Sequence, residues 1–353
     1  RARHAWSEKA CSLHGKAIVS AAFSPDGTIA LTGSQDTSTW LWNARTGEPL
    51  RQLQGHSESI ILIAVSPDGK MVLTGSEDKK AHLWDASQGW CKYKLREHRG
   101  PVCFGVFSTD SNTAFTGSFA DATVCAWNVE TGKCLLKLTG EHTKKITGVS
   151  LSPDEKNILT GSIDQQVILW DTKTGKKLKA YVMDSDFFAT VLGFTLDGAA
   201  FFAGLSDGTM MLWSTETQEL LLTLKGHSSS ISSVVMSPDG RTMFTGSSDK
   251  TVLMWDIANG KILKEFKGHA GAITSLAYAF KCELLFALSE NNTVLVWNVS
   301  TGELIRELRG HKDRISVLVC SPDGRTILTA SGDGTAFLWD AAYLEIDSNS
   351  LLT

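Results

Sequence analysis

The sequence predicts an all-β protein built from one repeated unit, and three observations support this. A tryptophan recurs at a nearly constant interval, a Ser-Pro-Asp-Gly turn recurs at a fixed distance before it, and the segment that ends on the tryptophan is apolar on both faces. A strand with two apolar faces must be covered from both sides. One unit therefore cannot stand alone, and the units are expected to pack on one another.

The clearest copy of the unit spans residues 226–256. It begins with Gly-His, passes through an apolar run to a Ser-Pro-Asp-Gly turn at 237–240, turns again at 248–250 and ends on Trp255-Asp256. In the first turn proline presets φ, aspartate caps its own backbone and glycine allows a positive φ. Each unit is thus predicted to contain three short strands and two turns before an outer strand follows.

Eight copies of this unit fill most of the chain. The tryptophans that close them are Trp42, Trp84, Trp127, Trp170, Trp213, Trp255, Trp297 and Trp339. Consecutive members are 42 or 43 residues apart. A period of this length, with Gly-His at the front and Trp-Asp at the back, resembles the WD-repeat β-propeller family. The resemblance covers residues from about 14 to 340 and implies a single eight-bladed propeller of four-stranded antiparallel blades.

No linker interrupts the array, so residues 1–353 are expected to form one domain. The repeats are predicted at about 14–43, 56–85, 98–128, 142–171, 185–214, 227–256, 269–298 and 311–340, with 341–353 as a tail. Inner strands are expected near 17–23, 59–65, 101–107, 145–151, 188–194, 230–236, 272–278 and 314–320. The last blade needs an outer strand, because an open sheet edge invites wrong pairing. Register favours residues 1–13, with Trp6, Ala10 and Cys11 as apolar points, over the alternating segment that begins at Tyr343.

Composition excludes several classes of function. The chain is 42% apolar and 20% charged with a net charge of −4, which is typical of a soluble globular protein without bulk attraction to nucleic acid or an acidic membrane. Its seven cysteines are never closer than nine residues apart, so neither a C-x-x-C motif nor metal-ligand spacing occurs. We therefore expect buried thiols, a cytoplasmic location, and neither a metal nor a cofactor.

A histidine, a threonine, an aspartate and a tryptophan recur at fixed offsets. The complete sets are His14, Thr32, Asp36, Trp42; His56, Thr74, Asp78, Trp84; His142, Thr160, Asp164, Trp170; His227, Thr245, Asp249, Trp255; and His311, Thr329, Asp333, Trp339. A His-Thr-Asp grouping fits nucleophilic catalysis, but an enzyme needs one such site and not five. We interpret the sets as buried hydrogen-bonded struts, which matches the tetrad that the family resemblance implies.

Three copies depart from this pattern. The third keeps His98, Thr116 and Trp127 but has an extra residue in its second turn, at 119–121, which should bulge that turn. The fifth has Ser185 and Ala203 in place of histidine and threonine, and Phe187 and Phe188 are the bulk expected to compensate. The seventh keeps His269 but has Ala287 and Asn291, and Ala-Phe-Lys-Cys at 279–282 replaces the first turn. Blades five and seven are predicted to lack the strut.

The family resemblance implies that partners bind on the face with the Gly-His loops. The positions expected there are three and five residues after the histidine and one before the turn aspartate. Most carry small side chains. The exceptions are the candidate partner-binding residues Phe188, Arg314, Lys145, Ile61, Ile163, Gln35, Glu77 and Glu290. Phe188 and Arg314 are the preferred anchors, since aromatic residues and arginine dominate interface energies.

These observations predict a non-catalytic scaffold that binds a peptide or loop of another protein within a multiprotein complex, without nucleic acid or membrane. One alternative is the sensor or regulatory domain of a larger protein with a nucleotide-driven switch, for which a chain that begins with Arg1 leaves room. Another is an enzyme that uses Glu77 and Glu290 at the channel mouth. It is disfavoured because no unrepeated acid–base cluster accompanies them.

Overall fold

The computed structural model describes residues 9–183 and 187–342. Their strands form eight antiparallel four-stranded sheets. The innermost strands are β2 (Ile18–Phe23), β6 (Ile60–Val65), β10 (Phe104–Phe107), β14 (Ile146–Leu151), β18 (Ala189–Phe194), β22 (Ile231–Met236), β26 (Ile273–Ala279) and β30 (Ile315–Cys320). The second strands are β3 (Ile29–Ser34), β7 (Met71–Ser76), β11 (Thr113–Ser118), β15 (Asn157–Ser162), β19 (Ala200–Leu205), β23 (Thr242–Ser247), β27 (Leu284–Ser289) and β31 (Thr326–Ser331).

The third strands carry the repeat tryptophans. They are β4 (Ser38–Asn43), β8 (Ala81–Asp85), β12 (Thr123–Asn128), β16 (Gln166–Asp171), β20 (Met210–Ser214), β24 (Val252–Asp256), β28 (Val294–Asn298) and β32 (Ala336–Asp340). The outer strands are β5 (Pro49–Gln54), β9 (Cys91–Leu95), β13 (Cys134–Leu138), β17 (Lys177–Val182), β21 (Leu220–Leu224), β25 (Lys261–Phe266), β29 (Leu304–Leu308) and, for the last sheet, β1 (Lys9–Cys11). We number the sheets as blades one to eight, from β2–β5 to β30–β32 with β1.

The N-terminal strand closes the ring, as register predicted. β1 pairs antiparallel with β32, with Lys9 opposite Leu338 and Cys11 opposite Ala336. Cys11 is buried between blades eight and one. This confirms the eight-bladed propeller closed at its N-terminus. Trp6 and the tail from Tyr343 lie outside the described residues.

The hydrophobic core lies between the blades and not inside any one of them. Eight clusters of buried side chains each draw on two adjacent blades. Trp255 of blade six, for example, packs against Phe202 and Met210 of blade five. Each third strand therefore has the two covered faces that its apolar sequence requires.

The inner strand of blade three is shorter than expected. It begins at Phe104 and not at 101, because Pro101 cannot donate a hydrogen bond and the next residue, Val102, donates its N–H to Ser76 O of blade two. In the other seven blades the inner strand carries a β-bulge just after its first residue. The bulged residue is the one five positions after the histidine.

Candidate functional site

Four of the predicted struts have a direct contact between histidine and aspartate. The Nδ1–Oδ2 distance is 3.0 Å for His14–Asp36, 2.8 Å for His56–Asp78, 3.0 Å for His142–Asp164 and 2.9 Å for His227–Asp249. In each of these the histidine Nε2 lies 2.8 or 2.9 Å from the threonine Oγ1, which accepts the indole N–H at 2.7 or 2.8 Å. The four side chains form one continuous chain of hydrogen bonds.

Blades three and eight insert a threonine hydroxyl between the histidine and the aspartate. His311 Nδ1 is 3.9 Å from Asp333 but 3.1 Å from Thr335 Oγ1, and this hydroxyl donates to Asp333. His98, Thr123 and Asp121 of blade three repeat the arrangement, with 2.9 Å between His98 Nδ1 and Thr123 Oγ1. His311 and Asp333 are therefore joined through the hydroxyl of Thr335 and not by the direct contact that was predicted.

The electrostatics of the struts favour a structural role. Burial lowers the pKa of His14, His56 and His311, so these imidazoles stay neutral. Burial alone would raise the pKa of Asp36, but hydrogen bonds from Ser38 and Gly15 hold this pKa below its ordinary value. A neutral imidazole between a carboxylate and a hydroxyl satisfies all three groups.

The threonines of the struts are not accessible nucleophiles. Thr32, Thr74 and Thr245 are 0% exposed, and Thr160 and Thr329 are 1% exposed. Each hydroxyl is already committed to an imidazole and an indole. The five sets therefore offer no open position for a substrate.

Blade five replaces the strut with aromatic packing. Trp213 stacks on Phe201 with ring centroids 5.3 Å apart and planes 17° apart, and it contacts Tyr181 at 5.3 Å. The expected bulk was Phe187 and Phe188, but Phe187 is 38% exposed and Phe188 is only half-buried. The compensating rings come instead from the second strand and from the outer strand of blade four. Ser185 lies outside the described residues.

Blade seven keeps half of a strut. His269 Nδ1 lies 3.0 Å from Ser289 Oγ, while the buried Nε2 has no hydrogen-bond partner among the described residues. The missing partner is the threonine hydroxyl, because Ala287 stands at that position. His269 packs edge-on against Trp297, with 5.2 Å between ring centroids.

Most candidate partner-binding residues lie in pairs joined by backbone hydrogen bonds. The residue before the turn aspartate donates its N–H to the carbonyl of the residue three after the histidine. This joins Gln35 to Ala17, Glu77 to Ser59, Ile163 to Lys145, Ser206 to Phe188, Ser248 to Ser230, Glu290 to Ala272 and Gly332 to Arg314, at 2.7–3.1 Å. Phe188, Arg314, Lys145, Ile163, Gln35, Glu77 and Glu290 therefore share the face of the Gly-His loops. Blade three differs, since Phe119 O accepts the N–H of Ile146 in blade four.

In four blades the residue five positions after the histidine position links its blade to the next one and does not face a partner. The hydroxyls of Thr147, Thr190, Ser232 and Ser316 each donate to a backbone carbonyl of the next blade. The bulge turns these side chains toward the seam between blades, so they are not free for a partner. Ile61, the candidate at this position in blade two, is half-buried.

Sequence reasoning missed two features of the site. One is the hydroxyl two residues after the turn aspartate, present in Ser38, Thr123, Thr251 and Thr335, which bonds to the histidine. Its recurrence in the sequence was a usable signal. The other is His82, a buried ring stacked on His56 at 3.7 Å between centroids, whose nitrogens have no partner among the described residues. Nothing in the repeat pattern marks that position.

Two further searches concern the described residues only. No helix there has the length and apolar character that crossing a membrane requires. Within the same part of the chain, no group of three or more His, Cys, Asp or Glu side chains is arranged to hold a metal ion.

Comparison with solved structures supports the ring architecture, and 1942 chains match. One is the crystal structure of the computationally designed Ika8 protein, which is 27% identical. The match covers 93% of this chain and 98% of that chain, with a TM-score of 0.80. A comparison with curated proteins returns no match.

The family comparison follows the blades. The model of "WD domain, G-beta repeat" matches seven segments, residues 7–43, 47–85, 89–128, 132–171, 218–256, 260–298 and 302–340. The unmatched interval between 171 and 218 contains the first three strands of blade five, which replaces the strut with aromatic rings. Since the matched segments cover well over half of its length, the chain belongs to the WD domain, G-beta repeat family.

Proposed function

We propose that this propeller is a non-catalytic scaffold that binds a peptide or loop of another protein across the face of the Gly-His loops. Propellers of this family commonly mediate protein interactions and are typically not enzymes. The observation that carries the proposal is the recurring backbone hydrogen bond in which seven of the eight candidate residues take part, at the same end of their blades. These bonds fix the backbone from which the candidate side chains project before any partner arrives, which lowers the entropy lost on binding.

The candidate face has one sector with mixed chemistry. Lys145 and Ile163 of blade four are joined by a backbone hydrogen bond of 3.1 Å, and Phe188 lies on the neighbouring blade five. Lys145 is exposed, while Ile163 and Phe188 are half-buried. A cation, an aliphatic side chain and an aromatic ring side by side are the kind of anchors on which interface energy concentrates.

Arg314 supplies a second anchor, on blade eight. Its backbone carbonyl accepts from Gly332 at 2.7 Å, while its side chain is exposed. Gly332 has no side chain to shield the guanidinium. We assign Arg314 the role of pairing with a carboxylate of the bound segment, with Gln35, Glu77 and Glu290 at the border of the site.

Affinity capture from native cells tests the proposal. The wild-type chain, the variant Phe188→Ala/Arg314→Ala and a control Leu196→Ala/Arg241→Ala serve as baits, and captured proteins are quantified by mass spectrometry. The control removes an exposed leucine and an exposed arginine from the first turns of blades five and six. We expect one set of proteins to disappear with the first variant alone, while all three baits keep the same melting temperature. If all three baits capture the same proteins in equal amounts, the proposal that this face binds a partner is wrong.

A further inference from the structure

A cleft of about 900 Å³ lies where blades seven, eight and one meet. Its walls come from the first turns of these blades and from the turns that follow their tryptophans, which lie on the face opposite the Gly-His loops. Its floor includes Leu338, Trp339 and Cys282, which are all buried. The volume suits a small molecule or a short peptide segment. The cleft shares no residue with the proposed partner face.

The departure of blade seven from the repeat shapes this cleft. Where blades one, two, six and eight have Ser-Pro-Asp-Gly, β26 continues to Ala279 and a 3₁₀ turn follows over Phe280–Cys282. The ring of Phe280 lies beneath the first turn of blade eight, because a Cβ on Gly324 would be only 2.8 Å from it. Lys281 then lines the cleft at the position where the repeat would place the turn aspartate.

Three cationic side chains line the cleft, one from each blade. They are Arg45 of blade one, Lys281 of blade seven and Arg325 of blade eight, and all three are exposed. Among the ion pairs of the described residues, none involves these three groups. Their donors are therefore available to an anion.

Three aspartates also line the cleft, and hydrogen bonds within the protein engage them. Asp26 accepts from Ser24 and from the N–H and hydroxyl of Thr28, and these bonds keep its pKa below the ordinary value. Asp323 accepts from Ser321 and from the N–H of Arg325. Asp340 accepts the N–H of Ala342. The summed charge of the wall is close to zero, so attraction of an anion depends on direct contact with the cations and not on a long-range field.

We propose that this cleft binds a phosphorylated peptide of a partner protein, at a second site on the face opposite the Gly-His loops. Arginine donates two parallel hydrogen bonds to a phosphate, and Lys281 adds a point charge. Phosphate suits the cleft better than a single carboxylate, because its charge is near −2, it has three acceptor oxygens, and cations from three blades line the cleft. Peptide residues beside the phosphate lie against the floor of the cleft.

Fluorescence anisotropy tests this site. The probe is a fluorescein-labelled nonapeptide library with phosphoserine at the central position, and the reference is the same library with serine. The variant Arg45→Ala/Arg325→Ala is compared with the matched control Lys173→Ala/Arg241→Ala, since Lys173 and Arg241 occupy the same repeat positions in blades four and six. Melting curves verify that every variant is folded.

We expect the wild-type chain to bind the phosphoserine library at least tenfold more tightly than the serine library. The cleft variant loses at least tenfold in affinity for the phosphoserine library, and the matched control keeps it. Phe188→Ala/Arg314→Ala also keeps it, so failure of the partner face and failure of the cleft are separate results.

Three outcomes would overturn the proposal. The two libraries bind equally, or the matched control loses as much affinity as the cleft variant. In the third, inorganic phosphate displaces the probe at the concentration at which an unlabelled phosphoserine library does, which would mean an adventitious ion only.

Discussion

Blades five and six solve the same packing problem with different chemistry. In blade six, Trp255 donates to Thr245, which contacts His227, which contacts Asp249, all between 2.7 and 2.9 Å. In blade five, Trp213 has two aromatic rings around it, and the described residues form no such chain. Both tryptophans are buried, with 1% and 4% of their surfaces exposed. The repeat therefore requires a tryptophan held against its neighbours, and either hydrogen bonds or ring packing can hold it.

Blade seven has neither the complete strut of blade six nor the stacked rings of blade five. It retains the histidine without the threonine, and only one added ring, Phe266 of blade six, lies near its tryptophan, 5.8 Å from Trp297. One buried imidazole nitrogen is left without a partner among the described residues. Leaving a buried polar group unsatisfied costs about 1–3 kcal/mol. Blade seven is therefore expected to gain stability from a single substitution that supplies a partner to this nitrogen.

The largest expected effect is the loss of the aromatic packing in blade five. Phe201→Ala removes a ring that is 0% exposed and stacks on Trp213. We expect a loss of about 3–5 kcal/mol in the free energy of unfolding, because both transfer energy and a cavity contribute. Urea unfolding measures it. Phe187→Ala is the control, and an equal loss there would contradict the assignment of the packing to Phe201.

A smaller loss is expected from breaking the strut of blade six. Thr245→Val keeps the shape of the side chain but leaves both the indole N–H of Trp255 and Nε2 of His227 unsatisfied. The expected cost is about 2–4 kcal/mol from two buried polar groups. Thr242→Val, at the half-buried start of the same strand, should change the urea midpoint little. If both variants unfold like the wild type, the strut does not stabilise the blade.

Acid should weaken blade seven through its histidine. Burial lowers the pKa of His269 from 6.5 to about 4. Between these values the unfolded chain binds a proton that the folded chain does not, so stability is complete above pH 6.5 and falls as the pH decreases toward 4. His269→Leu should reduce the difference in urea midpoint between pH 7.5 and pH 5. It should not abolish the difference, since burial also lowers the pKa of His14, His56 and His311. An unchanged difference would contradict the role of His269.

The smallest expected effect is a gain in stability. Ala287→Thr places a hydroxyl where the complete struts have one, and this hydroxyl can donate to Nε2 of His269. We expect a gain of about 1 kcal/mol, the net contribution of one hydrogen bond. Ala203→Thr in blade five is the matched control and should destabilise, because no histidine occupies the corresponding position in the sequence. A lower urea midpoint for Ala287→Thr would show that blade seven cannot accommodate the side chain.

The ring and the register of its strands could be predicted from the sequence because the same pattern of residues recurs in each repeat. Eight tryptophans in register fix the third strands, and the turns fix the two strands before them. The inner strand of blade three was predicted to begin at 101, whereas it begins at Phe104. The prediction followed the repeat period and did not take into account that Pro101 has no N–H to donate. Local chemistry prevailed there over the repeat.

The contacts between blades were harder to predict. The direct pair of His311 and Asp333 was expected from spacing, but the hydroxyl of Thr335 joins them instead. Blade six has a threonine at the same position and keeps the direct contact of His227 with Asp249, so residue types alone do not settle the geometry. One of the rings that replace the strut of blade five belongs to Tyr181 of blade four. The sequence of one repeat therefore does not predict this packing. The cleft beside Lys281 depends on three blades at once, and only the closed ring brings them together.

The pairing of β1 with β32 also sets an order of events during synthesis. The first strand of the ring leaves the ribosome roughly half a minute before its partner, at about 10 residues per second. Until β32 has been made, the Lys9–Cys11 segment lacks the strand with which it pairs in the closed ring. Closure of the ring, and with it the burial of Cys11 between blades eight and one, therefore has to wait for β32.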